Sequence, residues 1–438
     1  MKKFTHIFFS RFFVKKMFES ATFRQSAVTF SGTFITGLLG AAFYILSARL
    51  LGPALFGTLS VSIVVLSLVA DLGDMGVNTG LVRFISKYAN ENFEKANRFI
   101  KLGLVIKLSM SLVVISFGYI LAPLIANKIF FKSDLVTPLR ISFIGVGTTW
   151  LFSFITVNLQ AFQRFWKWSG VQILTNLLRL VVVVILFYIS KISIQNNLLA
   201  YITIPFIGFM IGLTLIPKGF LKVNKVLSVG SEFFQYNKWI AIFIVFSSIS
   251  SRLDTFLSAR FVSSVELGLY SAAIQLTQVV PLIIGAIGTV IAPKMSGMRD
   301  INTILLYFKK TQIFVLGISV LGLLAIPVSF WFIPTFYGDK YMGAVPVFTI
   351  LLIAMLVFLI SVPIHNMVLY YFSYPKLFTW VSMIHFSIIL ILGWVLVRKF
   401  GVIGIAYSVL FAQISDLVIP AVWVYKKVTN HQSLVTNH

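Results

Sequence analysis

There is no cysteine anywhere in the 438 residues. Disulfides, thiolate zinc sites and iron–sulfur clusters are thereby excluded. Acidic side chains are scarce too, with 12 Asp and Glu against 36 Lys and Arg and a formal charge of +24. The five histidines, at 6, 365, 385, 431 and 438, show no metal-ligand spacing. Charged residues of both signs reach only 11%, where a soluble domain carries about 25%. What fills the space is apolar: hydrophobic residues are 58% of the chain and mean hydropathy is +0.96. A core holding that much apolar surface leaves too little polar surface to cover it. The chain therefore reads as an all-α polytopic membrane protein.

A bilayer core needs roughly 20 apolar residues per helix. Twelve stretches qualify: 27–50, 56–81, 102–127, 138–161, 168–190, 198–217, 238–261, 268–292, 308–333, 344–371, 376–397 and 402–425. A large positive charge also marks nucleic-acid-binding proteins. Here, however, most Lys and Arg fall on one side of the spans, including Lys2, Lys3, Arg11, Lys15, Lys16, Lys426 and Lys427. Loop cations orient spans with the basic side in the cytoplasm. Both termini are thus expected in the cytoplasm, in a cytoplasmic (inner) membrane, with no nucleic-acid partner. The expected organisation is a basic amphipathic segment at 1–26 lying on the membrane surface and a six-span lobe at 27–217. A cytoplasmic amphipathic linker at 218–237, a second six-span lobe at 238–425 and a tail at 426–438 complete it.

The lobes share a sequence. Leu46, Ser47, Ala48, Arg49, Gly57 and Ser60 recur as Leu257, Ser258, Ala259, Arg260, Gly268 and Ser271, each 211 residues on. That offset lays the end of span one on the end of span seven, and Arg83 on Lys294. Six spans return the chain to its starting side, so the repeats run parallel about an axis along the membrane normal. Transporters are commonly built this way, with substrate bound between the lobes.

Charges inside a bilayer are costly and mark function by default. Span two carries Ser67, Asp71, Asp74 and Asn78 at helical spacing. Two carboxylates this close in a dry place resist ionising together, which suits a proton- or sodium-coupled carrier. The other reading is that Asp71 and Asp74 neutralise a buried Lys or Arg. Arg179 sits at the centre of span five, and Arg252 and Asp254 lie near the middle of span seven on different helical faces. Lys107 is a turn and a half inside span three, where snorkelling to the inner headgroups is the bland reading. Asp416 and His385 lie near mid-depth in spans twelve and eleven, and such a lone His is more often a packing residue than a relay. Arg49 and Arg260 end their spans on the outer side.

The stretch SARLLGPALFG followed by LVADLGDMGVNTGLVRFISKYA resembles the opening of the polysaccharide-transport proteins. These Wzx-like O-antigen and lipid-linked oligosaccharide flippases belong to the multidrug/oligosaccharidyl-lipid/polysaccharide (MOP) superfamily. The second half is similar in RLDTFLSARFVSSVELGLYSAAIQLTQVV and IAPKMSGM, where Asp254, Gly268, Tyr270, Ala273, Pro293 and Ser296 match the family's positions. The resemblance implies a MATE-like fold of twelve helices in two pseudosymmetric six-helix lobes. It implies a membrane transporter, not an enzyme, that turns a polyprenyl-pyrophosphate-linked oligosaccharide from the inner to the outer leaflet, beside glycosyltransferases or a glycan polymerase. Arg179, Arg252, Lys107, Arg49, Arg260 and Arg83 then become candidate contacts for the pyrophosphate. Asp71, Asp74, Asp254, Asp416 and His385 become candidates for a coupling ion, H+ or Na+, with no metal and no other cofactor. A cation-coupled multidrug exporter of the same superfamily is the alternative. A membrane glycosyltransferase or polymerase fits poorly, because no external loop is long.

Overall fold

The computed structural model describes residues 21–436. The expected surface segment at 1–26 falls almost wholly outside them. In chain order the α-helices are α1 Ala21–Asp74, α2 Val77–Glu91, α3 Phe93–Leu124, α4 Val136–Ala161, α5 Phe165–Tyr188, α6 Ile194–Leu213 and α7 Gly230–Ser250. There follow α8 Leu253–Phe261, α9 Ser264–Thr277, α10 Val279–Ser296, α11 Ile301–Gly322, α12 Ala325–Tyr337, α13 Ala344–Asn366 and α14 Lys376–Thr436. Among the described residues there is no strand.

Among the described residues nine helices are long and apolar enough to cross a membrane, or ten with one bent pair. The twelve expected stretches fall on them because some share a helix. Both α1 and α14 run through two spans, and each is interrupted by one glycine in a conformation closed to other residues. Gly52 has φ +75 and ψ 168, and Gly401 has φ +56 and ψ −139. Conversely, span seven is broken: α7 and α8 meet at a bend of 42°. The run Ser247-Ser248-Ile249-Ser250-Ser251 explains why, since serine hydroxyls compete with the backbone ladder. Arg252 sits in that break with non-helical backbone angles. The helical spacing expected between Arg252 and Asp254 therefore does not apply.

Span two also departs from expectation. It stops at Asp74 instead of continuing to residue 81, because Met75 (φ 44) and Gly76 (φ 80) are both left-handed. The chain restarts as α2, whose Val77, Gly80, Leu81, Phe84 and Ile85 form a buried stripe. Asp71 and Asp74 keep their common helix, but Asn78 belongs to the next one.

Contacts divide the chain into two compact units. Among the described residues, one holds those up to Phe43, Ser62–Asn127 and Lys132–Ser248; the other holds Tyr44–Val61, Lys128–Phe131 and those from Ile249 onward. In the first, Phe84 stacks on Phe99 at 4.5 Å inside a cluster with Leu81, Ile85 and Phe154. The stretch expected as an amphipathic linker forms two short 3₁₀ turns, Lys218–Leu221 and Val226–Val229, leading into α7. Its Phe220, Val229 and Phe233 are buried in that same cluster, not laid on a lipid surface. Glu232 holds the junction in place, paired with Lys95 at 2.8 Å and accepting from the Tyr88 hydroxyl at 3.0 Å. In the second unit, Ile291, Met295, Ile304, Ile364, Met367, Val368 and Val424 form the corresponding core.

Candidate functional site

The charges inside the spans fall into distinct chemical settings. In the first unit Lys107 is 3% exposed, far too buried to reach the headgroups by snorkelling. Its ammonium lies 3.3 Å from the Asp74 carboxylate and donates to the Ser153 hydroxyl at 2.8 Å. The other carboxylate oxygen of Asp74 accepts from the Asn78 backbone N–H at 3.2 Å. Asp74 thus neutralises a buried cation and caps α2, filling one of the donor positions a helix start leaves open. Nearby, the Trp150 indole donates to the Ala70 carbonyl at 2.9 Å, and its ring fills the space beside Gly73. Asp71, one turn back, is exposed and has partners of its own.

Arg179 stands apart. It lies fourteen residues into α5, about 21 Å along the helix, and is half-buried. Its guanidinium rests on the ring of Tyr201 from α6, 4.1 Å from the centroid. Its Nε is buried without a hydrogen-bond partner. Among the described residues no carboxylate pairs with it. Tyr201 is backed in turn by Phe43 of α1 at 5.8 Å. The result is a mid-span cation held on an aromatic platform, with its hydrogen-bonding edge uncommitted. A cation over an aromatic face is stabilised by the ring quadrupole, yet its charge is not cancelled. Arg83, in α2, also stacks on a tyrosine, Tyr236, at 4.2 Å.

In the second unit Asp254 opens α8 and accepts a 2.7 Å hydrogen bond from the fully buried Tyr270 of α9. Both belong to motifs quoted above, but their spacing in sequence does not disclose that they meet. Asp416 is bound twice. Its carboxylate lies 2.8 Å from Nδ1 of His385, and its backbone carbonyl accepts from Nε2 of His365 at 2.7 Å. The second bond has a covalent cause. Residue 420 is proline, so the carbonyl four residues earlier has no helical donor. His365, unremarked in the sequence, supplies one.

Arg49 and Arg260 turn out to be a matched pair. Arg49 donates to the Thr335 carbonyl at 2.6 Å in the last turn of α12. Arg260 donates to the Ile129 carbonyl at 2.8 Å, at the end of the π turn Ile125–Ile129 that follows α3. Each thereby satisfies a carbonyl that a helix end leaves orphaned. Between them, Gly57 and Gly268 pack backbone to backbone: a Cβ on Gly57 would meet the Ser264 carbonyl and stand 2.8 Å from the Gly268 nitrogen. The Tyr341 hydroxyl closes the same seam with a 2.8 Å bond to the Ala48 carbonyl. So the two glycines of the repeat pack on one another inside one unit, while the two arginines bond to carbonyls on different elements. Arg252, the remaining cation of the expected set, is half-buried at the break before α8 and has partners there. Among the described residues no cluster of His, Asp and Glu could hold a metal ion.

Among curated proteins none matches the sequence. Solved structures do match its fold. An inward-facing MATE multidrug resistance transporter of the MOP superfamily superimposes with a TM-score of 0.73 at 12% identity, over 91% of this chain and 96% of that one. The lipid II flippase MurJ, in an inward closed conformation, gives 0.72 at 17% identity, over 90% and 87%. A MOP-superfamily transporter from Pyrococcus furiosus gives 0.55 at 12% identity, over 93% and 95%. At such identities the likeness is one of fold. The sequence itself carries the lineage: the model for polysaccharide biosynthesis proteins matches residues 23–299, and with the MOP fold around that match, the chain belongs to the polysaccharide biosynthesis protein family.

Proposed function

We propose that this protein is a flippase that carries a polyprenyl-pyrophosphate-linked oligosaccharide from the inner to the outer leaflet of the cytoplasmic membrane, by alternating access. The observation that carries the reading is Arg179. The chain belongs to the polysaccharide biosynthesis protein family, and Arg179 is a mid-span cation with no carboxylate partner among the described residues, resting on Tyr201. A pyrophosphate brings about two negative charges into a low dielectric, a cost that a nearby cation offsets. Guanidinium suits the task because its planar fork pairs with phosphate oxygens two at a time. Lys107 and the two arginines at the glycine seam are weaker candidates, since each is already committed to a carboxylate or a carbonyl.

On this reading both termini lie in the cytoplasm, where the enzymes that build the lipid-linked sugar work. Glycosyltransferases and a glycan polymerase are then the functional neighbours. Deleting the gene tests the proposal. Lipid-linked sugar should accumulate on the inner leaflet, and supplying the chain in trans should clear it. A deletion strain with normal surface glycan but altered resistance to cationic drugs would favour a multidrug exporter instead.

A further inference from the structure

Between the first turns of α3 and the segment that follows α6, the first unit carries a cavity of about 470 Å³. Glu94, Arg98, Lys222, Val223, Asn224 and Lys225 line it. It is built from the connections between spans two and three and between spans six and seven, not from the mid-span stretch that carries Arg179.

The segment over the cavity is fixed from beneath. Phe220, Val223 and Val229 are buried. The Lys101 ammonium donates to the Val223 carbonyl at 2.8 Å and to the Leu221 carbonyl at 3.4 Å. Lys225 has a left-handed backbone (φ 56, ψ 42), uncommon for a residue with a side chain. The hydroxyl and the backbone N–H of Ser228 both donate to its carbonyl, at 2.6 and 3.0 Å. These bonds place Lys222 and Lys225 on the rim, where both residues are exposed. Among the described residues neither ammonium is engaged in an ion pair.

The lining sets three cations, Arg98, Lys222 and Lys225, against one carboxylate, Glu94, a surplus of two positive charges. Glu94 accepts from Arg98 across one helical turn, but its side chain is 65% exposed. Exposed pairs at this spacing hold weakly. The rest of the guanidinium is little used: Nη1 reaches the Ser228 hydroxyl only at 3.5 Å, and Nε is buried without a hydrogen-bond partner. A smaller hollow of about 270 Å³ shares Glu94 and Arg98, yet its other charges, Lys95 and Glu232, are paired with each other at 2.8 Å. The uncommitted charge lies in the larger cavity.

We infer that this cavity binds a phosphate monoester. Such a group carries about −1.5 to −2 charges at neutral pH, which matches the surplus. Guanidinium pairs with two phosphate oxygens at once. The volume falls within the range of small-molecule sites, about 300–1,000 Å³, so there is room for the group esterified to the phosphate. On entry the phosphate takes the place of Glu94 on Arg98 and draws in Lys222 and Lys225, tying the segment before α7 to α3. A soluble phosphate ester and a phosphatidic acid headgroup offer this same chemistry. None of this depends on what the spans transport.

Calorimetric titration of the full-length protein in neutral detergent, at constant ionic strength, tests the site. Glycerol 3-phosphate and dioctanoyl phosphatidic acid are the probes, and dioctanoyl phosphatidylcholine is the control for tail insertion. At least one probe should bind saturably at one site, and the control should not. Arg98→Gln should weaken that binding about tenfold or more, as should Lys222→Gln combined with Lys225→Gln. Glu94→Gln removes the competing carboxylate and should tighten it severalfold, a gain that a misfolded variant cannot produce. Lys191→Gln, at an exposed cation outside the cavity, should leave it unchanged. Preference for the short-chain lipid makes a headgroup the natural source and preference for glycerol 3-phosphate a soluble ester; both support the site. No saturable binding of either probe, equal binding of the control, or one affinity shared by wild type and the Arg98, double-lysine and Glu94 variants overturns it.

Discussion

Replacing Gly57 by alanine exchanges one hydrogen for a methyl group at a close backbone contact in the second unit. The added Cβ would overlap the Ser264 carbonyl and lie 2.8 Å from the Gly268 nitrogen; on Gly268 it would overlap the Pro53 carbonyl. Ordinary contact requires the helices to part by about 1 Å, and such overpacking costs about 1–3 kcal/mol. The two Arg–carbonyl bonds and the Tyr341–Ala48 bond resist that movement. One to three kcal/mol corresponds to a shift of roughly five- to 150-fold in favour of any arrangement with the seam open. Because the chain has no cysteine, spin labels can be placed uniquely at the exposed positions Leu55 and Val265. Gly57→Ala and Gly268→Ala should each add a longer distance to the label distribution, and Tyr341→Phe should do so more weakly. If both alanine variants keep the wild-type distribution and thermal stability, the seam is not glycine-dependent and the reasoning fails.

Two further expectations follow from the same geometry. Lys107→Met leaves Asp74 buried without its cation and should cost about 3–5 kcal/mol, read as thermal unfolding in detergent. Adding Asp74→Asn should recover much of the loss, and a double variant as unstable as the single would refute the pairing. Reporter fusions at residues 230 and 430 should both report the cytoplasm, and a signal from the other side at either position would refute the assigned orientation.

Much of the architecture is written into composition and repeat. Twelve apolar runs and the 211-residue offset specify the span count and the matched halves before any contact is known. Helix ends are less legible. Span two stops at Asp74 because Met75 and Gly76 turn left-handed, and nothing in the apolar pattern marks that. Pairings are least legible, because they join residues far apart in sequence. Asp74 finds Lys107 33 residues on, and Asp254 finds Tyr270 across the junction between α8 and α9. The two glycines of the repeat were visible as identities, yet identity says nothing of their packing on each other. One contact did leave a trace. Pro420 announces an orphaned carbonyl at Asp416, though not that His365 would fill it.

The most direct test of the flippase account is transbilayer movement of a polyprenyl-pyrophosphate-linked sugar in proteoliposomes, with wild type and Arg179→Ala at matched protein levels. Losing a cation opposite a desolvated anion costs roughly 3–5 kcal/mol, or about two to three orders of magnitude in rate. Wild type should move the lipid, Arg179→Ala should lose nearly all of that rate, and Arg179→Lys should fall between, since lysine restores the charge without the planar fork. Equal rates in wild type and Arg179→Ala, or a wild type that moves organic cations but not the lipid-linked sugar, would contradict it.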